Sequence, residues 1–327
     1  MTRLKTILKA LLSFFLLAYL VYLAEPVKIL ETLGKVWFNG RFIYLALAIG
    51  IYLISMVVFT LRWQILVRGY GLLVSTMDLF KYYLIGLFFN NFLPTSIGGD
   101  IVRIYHLIQR SGDRTAGFAS VLTERLLGIA STLILTLIAL LILTGELDNS
   151  WLIYIACGLL IIILAFFVLV FNDRFLQWTE RLVNPLKLMR LGERIMKFLN
   201  AVRFYQNAKN IFLKILIISV AGQVLIILMT YFLSQAIGLQ VPLTYMFLIV
   251  PVTFLVTMLP SINGVGFREG GYIILLGKIG IGKAEAISLS FLSILIPMLV
   301  SIGGGVLFML NKQIPKKKEF EFVEKNM

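Results

Sequence analysis

The amino-acid sequence predicts an all-α protein that crosses a membrane several times. Apolar residues make up 60% of the 327 residues, charged residues make up 14%, and the mean hydropathy is +0.95, which is more apolar surface than a soluble core needs. Several apolar runs reach the length of about 20 residues that a spanning helix requires. Two further apolar segments are interrupted by similar Leu-Pro motifs at 93–100 and 259–266. These observations predict a polytopic membrane protein with a pair of broken helices.

Six spanning helices are predicted from the apolar runs. In chain order they cover residues 7–24, 42–61, 117–143, 151–171, 211–237 and 284–310. The first run follows basic residues, as a secretory signal would, but Glu25-Pro26 after it lacks the small-residue cleavage pattern. We therefore expect this run to remain as the first span. In the last span, the run Gly303-Gly304-Gly305 is expected to let neighbouring helices pack closely.

The broken segments, 79–109 and 243–280, are predicted to be re-entrant hairpins that enter and return on one side. If both segments crossed, the basic stretch 172–214 would lie outside, against the positive-inside tendency. The hairpin arrangement instead places most of the 30 Lys and Arg residues, and both termini, in the cytoplasm. The two hairpins then enter from opposite faces, which gives repeats of inverted topology.

A single transmembrane domain is expected over residues 1–327. Its first repeat covers about 7–144, its second about 151–310, and a basic tail follows at 311–327. The second repeat includes segment 174–210, in which apolar residues recur at helical spacing among basic ones. Such a helix is predicted to lie in the cytoplasmic interface of the membrane. A solvated connector is the alternative.

The two Leu-Pro motifs form the candidate functional site. Pro94 and Pro260 stop their helices, and the glycines that follow permit a tight turn. Non-helical backbone at this depth is tolerated only where it is buried in protein or lines a wet cavity. Helices that restart after the turn would direct their positive ends, together with Arg103 and Arg268, toward a phosphate or another anion. Purely structural turns are the alternative.

Candidate substrate-binding residues come from both motifs and from the helix after the first motif. They are Asn90, Asn91, Thr95, Ser96, Gly98, Gly99, Asp100, Arg103, Glu124, Arg125, Ser261, Asn263, Gly264, Gly266, Arg268 and Glu269. The two amides would either donate into the cavity or hold the hairpin backbone. Asp100 and Arg103 share a helix face, and Glu124-Arg125 lies inside an apolar helix, where charges are costly. The acidic residues would form a structural ion-pair network, or they would take part in substrate or proton coupling.

Several classes of function are not expected. No P-loop, nucleophile elbow, HExxH motif or aspartate cluster occurs, which argues against an ATP-driven pump, a hydrolase or a metal-dependent transferase. His106 is the only histidine and Cys157 the only cysteine, so no metal site, cofactor or catalytic residue is predicted. The net charge of +14 is attributed to a basic cytoplasmic face that attracts anionic lipids, and not to nucleic-acid binding.

The motifs resemble those of a known family. The run 91–100 with Arg103, the triplet Thr123-Glu124-Arg125, and Leu259-Pro260-Ser261 followed by Arg268-Glu269 occur in the expected order. They are similar to the lysylphosphatidylglycerol synthase transmembrane-region family, the flippase-like domain also found in multiple peptide resistance factors. The resemblance extends over almost the whole chain.

The resemblance implies that the chain moves a lipid between leaflets. In larger family members a fused soluble domain makes the aminoacylated lipid; because this chain ends shortly after its last predicted span, that synthase part is expected to be absent. We therefore expect a flippase or scramblase of the plasma membrane, not an enzyme, with an anionic phospholipid or a polyprenyl-phosphate-linked lipid as cargo. The alternative is a non-transporting membrane subunit that positions a glycosyltransferase or a lipid-modifying enzyme. The resemblance also implies homodimerisation.

Overall fold

The part of the chain that the structure describes is helical. The computed structural model describes residues 26–37, 40–92, 98–143, 150–170, 172–183, 209–258 and 264–310, together with residues 19, 22, 196 and 199. The α-helices are α1 (Pro26–Gly34), α2 (Phe42–Gly69), α3 (Thr76–Phe92), α4 (Gly98–Ser111), α5 (Arg114–Ile142), α6 (Ser150–Val170), α7 (Asp173–Val183), α8 (Lys209–Ala236), α9 (Leu243–Val256), α10 (Phe267–Gly277) and α11 (Lys283–Leu310). No strand occurs among these residues, so the all-α prediction is confirmed.

Five of these helices, α2, α5, α6, α8 and α11, are long and apolar enough to cross a membrane. Their bounds agree with the predicted spans to within a few residues, with one exception. Helix α2 continues to Gly69, so the predicted end of this span at residue 61 is wrong. The predicted first span, 7–24, lies outside the described residues apart from two positions, and most of the predicted interfacial segment after α7 does so too.

The helices on either side of the two Leu-Pro motifs are shorter. Helices α3 and α4 have 17 and 14 residues, and α9 and α10 have 14 and 11. At 1.5 Å per residue, each is about 16–26 Å long, which is less than the hydrocarbon thickness of about 30 Å. Helix α3 packs against α4, and α9 packs against α10. The connecting residues 93–97 and 259–263 lie outside the described part of the chain.

Several contacts among the helices are related by an exchange of the two halves of the chain. Helices α2 and α8, which precede the broken segment of each half, pack against each other. The contact of α3 with α11 is matched by that of α9 with α5, and the contacts of α4 with α5 and of α2 with α3 have equivalents in α10 with α11 and α8 with α9. This pattern is what a pseudo-two-fold relation between two similar units produces.

Two apolar clusters hold the bundle together. The larger cluster joins α2, α8, α9, α10 and α11 and includes the buried side chains of Met56, Leu233 and Ile249. The smaller cluster joins α2 to α5 around Trp63 and Ile104, both of them buried. Fully burying such a side chain contributes about 1.5–3 kcal/mol relative to exposure in water. Charged residues of the candidate functional site lie beside the smaller cluster.

Glycines let helices approach closely at two interfaces. A Cβ atom on Gly304 would lie 2.5 Å from the carbonyl carbon of Leu84, and one on Gly305 would lie 2.7 Å from the ring of Phe88. The expected close packing is confirmed at these two positions, whereas Gly303 has open space around it. A Cβ atom on Gly99 would overlap the backbone of α3 in the same way.

Candidate functional site

Glu124 is the centre of a buried cluster of charged residues. It lies on α5, and its side chain is 2% exposed. Its Oε1 atom accepts a hydrogen bond from Nη2 of Arg62 at 2.7 Å, and its Oε2 atom forms an ion pair with Nη2 of Arg103. Each carboxylate oxygen therefore binds a different guanidinium group.

The ion pairs continue from Arg103 to Asp100 and then to Arg125. Nη1 of Arg103 lies 3.7 Å from Oδ1 of Asp100, one turn earlier on α4. The other oxygen of Asp100 forms an ion pair with Nε of Arg125, whose side chain is 40% exposed. We call these residues the ionic chain; their charges alternate in the order Arg62, Glu124, Arg103, Asp100 and Arg125. Its formal charges sum to an excess of one positive charge.

The ionic chain lies at similar depth on the three helices that supply it. At 1.5 Å per residue, Arg62 and Arg103 are about 10–12 Å before the ends of α2 and α4, and Glu124 is about 15 Å after the start of α5. A tight turn joins the end of α4 to the start of α5, where the side chain of Asp113 accepts hydrogen bonds from the backbone N–H groups of Thr115 and Ala116 at 2.8 and 3.0 Å. This cap holds the two helices in the register that brings Arg103 to Glu124.

Aromatic rings cover the guanidinium groups. The guanidinium carbon of Arg103 lies 4.1 Å from the ring centroid of Trp63 and 4.7 Å from that of Tyr83. The guanidinium carbon of Arg62 lies 4.9 Å from the ring of Phe59. These distances are within the range of about 6 Å over which a cation is attracted to an aromatic face. The rings thus stabilise the two cations away from water.

Arg62 is a site residue that sequence reasoning missed. The apolar run ends at residue 61, and a helix was expected to end with it. In the structure Trp63, Leu66 and Val67 are fully buried on α2, and their spacing of three and four residues continues the helical period. That periodicity, together with the absence of glycine between residue 61 and Gly69, is the signal that could have placed Arg62 inside the helix.

A second, smaller cluster lies at the start of α10. Nη2 of Arg268 lies 2.5 Å from Oε1 of Glu269, and its Nε atom donates a hydrogen bond to the hydroxyl of Ser290 at 3.0 Å. Oε2 of Glu269 accepts a hydrogen bond from the backbone N–H of Gly266 at 2.6 Å. One arginine and one carboxylate balance here, so this cluster is formally neutral.

The two amides on α3 hold the backbone of neighbouring helices. Oδ1 of Asn90 accepts a hydrogen bond from the N–H of Gly99 at 2.8 Å. Nδ2 of Asn91 donates to the carbonyl oxygen of Pro297 at 3.3 Å and to the hydroxyl of Ser301 at 3.0 Å. The sequence left open whether these amides donate into a cavity or hold the backbone. These contacts favour the second, structural role.

The glycines of the motifs differ in their roles. Gly264 and Gly266 have φ angles of +75° and +87°, which other residues rarely adopt. Gly98 and Gly99 are buried at the start of α4. The N–H groups of Gly99 and Gly266 donate hydrogen bonds to side-chain oxygens of Asn90 and Glu269, so these two groups already have partners within the protein.

The remaining predicted site residues fall in the connecting motifs. Pro94, Thr95, Ser96, Pro260, Ser261 and Asn263 lie outside the described residues. Two donors of the ionic chain, Nε of Arg62 and Nε of Arg103, are buried and make no hydrogen bond within the described part of the protein. Buried N–H groups are normally satisfied by protein, water or a ligand, so each of these two groups is able to bind a further acceptor.

Comparison with known proteins identifies the family. The model of the lysylphosphatidylglycerol synthase transmembrane region matches residues 6–304. The chain belongs to this family. The Leu-Pro motifs and the ionic chain all lie within the matched residues, so the resemblance noted from the motifs is confirmed.

Individual members of the family are similar at low identity. A UPF0104 membrane protein of Pyrococcus horikoshii is 24% identical, with 87% of this chain and 92% of that protein covered. A UPF0104 membrane protein of Methanothermobacter thermautotrophicus is 25% identical, with coverage of 82% and 84%, and one of Methanocaldococcus jannaschii is 24% identical, with coverage of 96% and 97%. No solved structure matches the chain.

Proposed function

We propose that this family member is a lipid flippase or scramblase, which moves an anionic phospholipid or a polyprenyl-phosphate-linked lipid between the leaflets of the plasma membrane. The observation that carries the proposal is the ionic chain, buried among apolar helices. A charged side chain at the centre of a spanning helix costs roughly 2.5–3.5 kcal/mol on insertion scales, and such residues usually mark a substrate pathway. The cationic excess of the ionic chain suits an anionic head group.

The proposal includes a fold of six spans and two re-entrant hairpins, α3–α4 and α9–α10, with both termini in the cytoplasm. The short lengths of these four helices and the matching contacts of the two halves support it. The distribution of basic residues supports entry of the hairpins from opposite faces. Inverted repeats of this kind provide alternating access to a site near the middle of the bilayer.

In this proposal Asp100 and Glu124 act as counter-ions and not as proton carriers. Each carboxylate contacts two guanidinium groups, and removal of a partner from a buried ion pair is strongly destabilising. The sequence carries no ATP-binding motif. Transport would therefore run down the lipid's own gradient or depend on an ion gradient, without an enzymatic step.

Reconstitution into vesicles tests the proposal. The purified protein would be placed in vesicles that contain a trace of fluorescent phosphatidylglycerol, phosphatidylethanolamine or a polyprenyl-phosphate-linked sugar, and a quencher added outside would report lipid exchange between leaflets. We expect exchange of at least one anionic lipid to be faster than in protein-free vesicles. Unchanged rates for all these lipids would contradict the proposal.

A pair of arginine variants tests whether the start of α10 belongs to the pathway. Arg268 is largely buried at that helix start, whereas Arg174 is exposed on α7. Arg268→Ala should slow exchange more than Arg174→Ala when equal amounts of monodisperse protein are compared. Equal rates of lipid exchange for the two variants would show that the start of α10 is not part of the lipid pathway.

The alternative, a subunit that positions another membrane enzyme, has one observation in its favour. Helix α7 buries Leu176 while Trp178 is 58% exposed, and Arg174 and Arg181 are exposed as well. Such a face could bind the surface of the membrane or a partner protein. Co-purification of a stoichiometric glycosyltransferase or lipid-modifying enzyme, without lipid exchange by the isolated chain, would favour this alternative.

A further inference from the structure

Arg103 is the middle member of the ionic chain, and each of its carboxylate partners has a second arginine. Glu124 also binds Arg62, and Asp100 also binds Arg125. If Arg103 moved away, two complete ion pairs would remain, Arg62 with Glu124 and Asp100 with Arg125. Neither carboxylate would be left buried and unpaired, which is the costly outcome when an ordinary buried ion pair is broken.

We infer that Arg62 and Arg125 are resident counter-cations, which let Arg103 exchange its carboxylate partners for the phosphate of a singly charged phosphodiester lipid. This inference rests on the proposed function and adds to it the class of head group. It also gives a role to Arg62, which lies outside the two Leu-Pro motifs.

The contacts of Arg103 are those of a side chain that can change partners. Its distance of 3.7 Å to Asp100 is longer than a direct hydrogen bond. Its Nε atom makes no hydrogen bond within the described residues. The faces of Trp63 and Tyr83 attract the cation without demanding one hydrogen-bond direction. A phosphate oxygen could therefore take the place of Glu124 as the partner of this guanidinium.

Arg62 is held by groups on three helices, none of which is α4. Its Nη2 atom lies 2.7 Å from Glu124 on α5, and its Nη1 atom donates to the hydroxyl of Ser219 on α8 at 3.3 Å. Its guanidinium also lies over the ring of Phe59 on its own helix. Because these contacts do not involve Arg103, Arg62 can keep Glu124 neutralised whether Arg103 is bound to it or not.

The charges of the ionic chain indicate the charge of the ligand. Three arginines and two carboxylates leave one positive charge in excess. A phosphodiester carries one negative charge and would neutralise the site. A phosphomonoester carries about −1.5 to −2 at pH 7 and would leave the site with a negative excess. The site therefore favours phosphatidylglycerol or a polyprenyl-phosphate-linked sugar over phosphatidic acid or a free polyprenyl phosphate.

The test uses the full-length protein in vesicles and a set of charge variants. In Arg62→Gln, Arg103 is the only arginine that still pairs with Glu124. When Arg103 leaves to bind the phosphate, Glu124 is left buried and unpaired, so phosphatidylglycerol exchange should fall by at least about 100-fold. In the double variant Arg62→Gln/Glu124→Gln that carboxylate is gone, and exchange should return to within about 10-fold of the wild-type rate. Arg174→Gln on α7 is the control for loss of a basic residue.

A purely structural role of Arg62 gives a different result. Melting temperature and monodispersity are measured for each variant, and exchange is expressed per folded protein. If Arg62→Gln folds and exchanges lipid at the wild-type rate, or if the folded double variant is as slow as Arg62→Gln, the inference is wrong. If Arg62→Gln does not fold, the double variant and Arg62→Lys, which keeps the cation, decide the question; both should exchange lipid.

The outcomes separate this inference from the proposed function. Wild-type protein that exchanges phosphatidylglycerol faster than phosphatidic acid, with the loss in Arg62→Gln and the recovery in the double variant, supports both. Wild-type exchange that is equal for the two lipids, or faster for phosphatidic acid, overturns the inference while the proposed function stands. No exchange of any lipid by the wild-type protein overturns the proposed function, and the inference with it.

Discussion

The close contact between α3 and α11 leads to a prediction about adjacent glycines. Gly303 and Gly304 occupy the same helix and differ in what surrounds them. A Cβ atom on Gly304 would lie 2.5 Å from the carbonyl carbon of Leu84 and 3.0 Å from the nitrogen of Ile85, whereas nothing lies within 4 Å of a Cβ atom on Gly303. Gly304→Ala should therefore destabilise the protein relative to Gly303→Ala.

The size of the effect follows from these distances. Carbon atoms in contact are normally about 3.5–4.0 Å apart, so α3 and α11 would have to separate by roughly 1 Å. Overpacking of this kind costs about 1–3 kcal/mol. Alanine also favours the helix over glycine by about 1 kcal/mol, but this gain is shared by the two variants and cancels when they are compared. The expected difference in unfolding free energy is therefore about 1–3 kcal/mol.

Thermal unfolding in detergent, followed by the fluorescence of the four tryptophans, measures the difference. Gly304→Ala should melt about 1.5–4.5 °C below Gly303→Ala, because 1 kcal/mol shifts the melting temperature of a chain of this length by about 1.5 °C. Lipid exchange by Gly304→Ala at a temperature where it is folded tells whether the α3–α11 contact also affects transport. Equal melting temperatures for the two variants would show that the helices do not approach as closely as the structure has them.

Three further substitutions test individual contacts by the same melting experiment. Asn90→Ala removes the acceptor for the N–H at the start of α4 and should cost about 1 kcal/mol, while Asn90→Asp, which keeps an acceptor, should cost less; equal losses would argue against the cap. Glu269→Ala leaves Arg268 without its carboxylate and should cost roughly 3–5 kcal/mol, so a change below about 1 kcal/mol would contradict a buried pair. Asp113→Ala should cost about 0.5–2 kcal/mol by loss of the α5 cap, and Asp113→Asn should retain most of the stability if the cap is correct.

Much of the fold could be predicted from hydropathy because a membrane-spanning helix can be recognised in the sequence by its length and its apolar composition. The predicted spans 117–143, 211–237 and 284–310 differ by only a few residues from helices α5, α8 and α11. The exception is α2, whose last turns are amphipathic: Trp63 faces the core while Arg62 pairs with a buried carboxylate. An average over a window of residues places such a segment in water, since it counts the arginine and not its partner.

The candidate site was harder to predict because charge pairing depends on contacts between distant helices. The sequence indicated that Glu124 would need a partner, but the partners lie 62 and 21 residues away along the chain. The nearer one, Arg103, was among the predicted site residues, and Arg62 was not. The roles of the amides at 90–91 were open for the same reason, since Asn91 binds a carbonyl oxygen on the last helix.

The two halves of the chain share a pattern of helix contacts, but they differ in charge. Equivalent helix pairs meet in both halves, because contacts of this kind depend on helix length and on the apolar faces. The ionic chain, counted with the partly exposed Arg125, carries a positive excess, whereas at the start of α10 Arg268 and Glu269 balance each other and Glu269 also caps its own helix. A repeated scaffold can therefore keep its architecture while its two halves differ in charge, and for this reason we propose that the anion binds at Arg103 and its counter-cations.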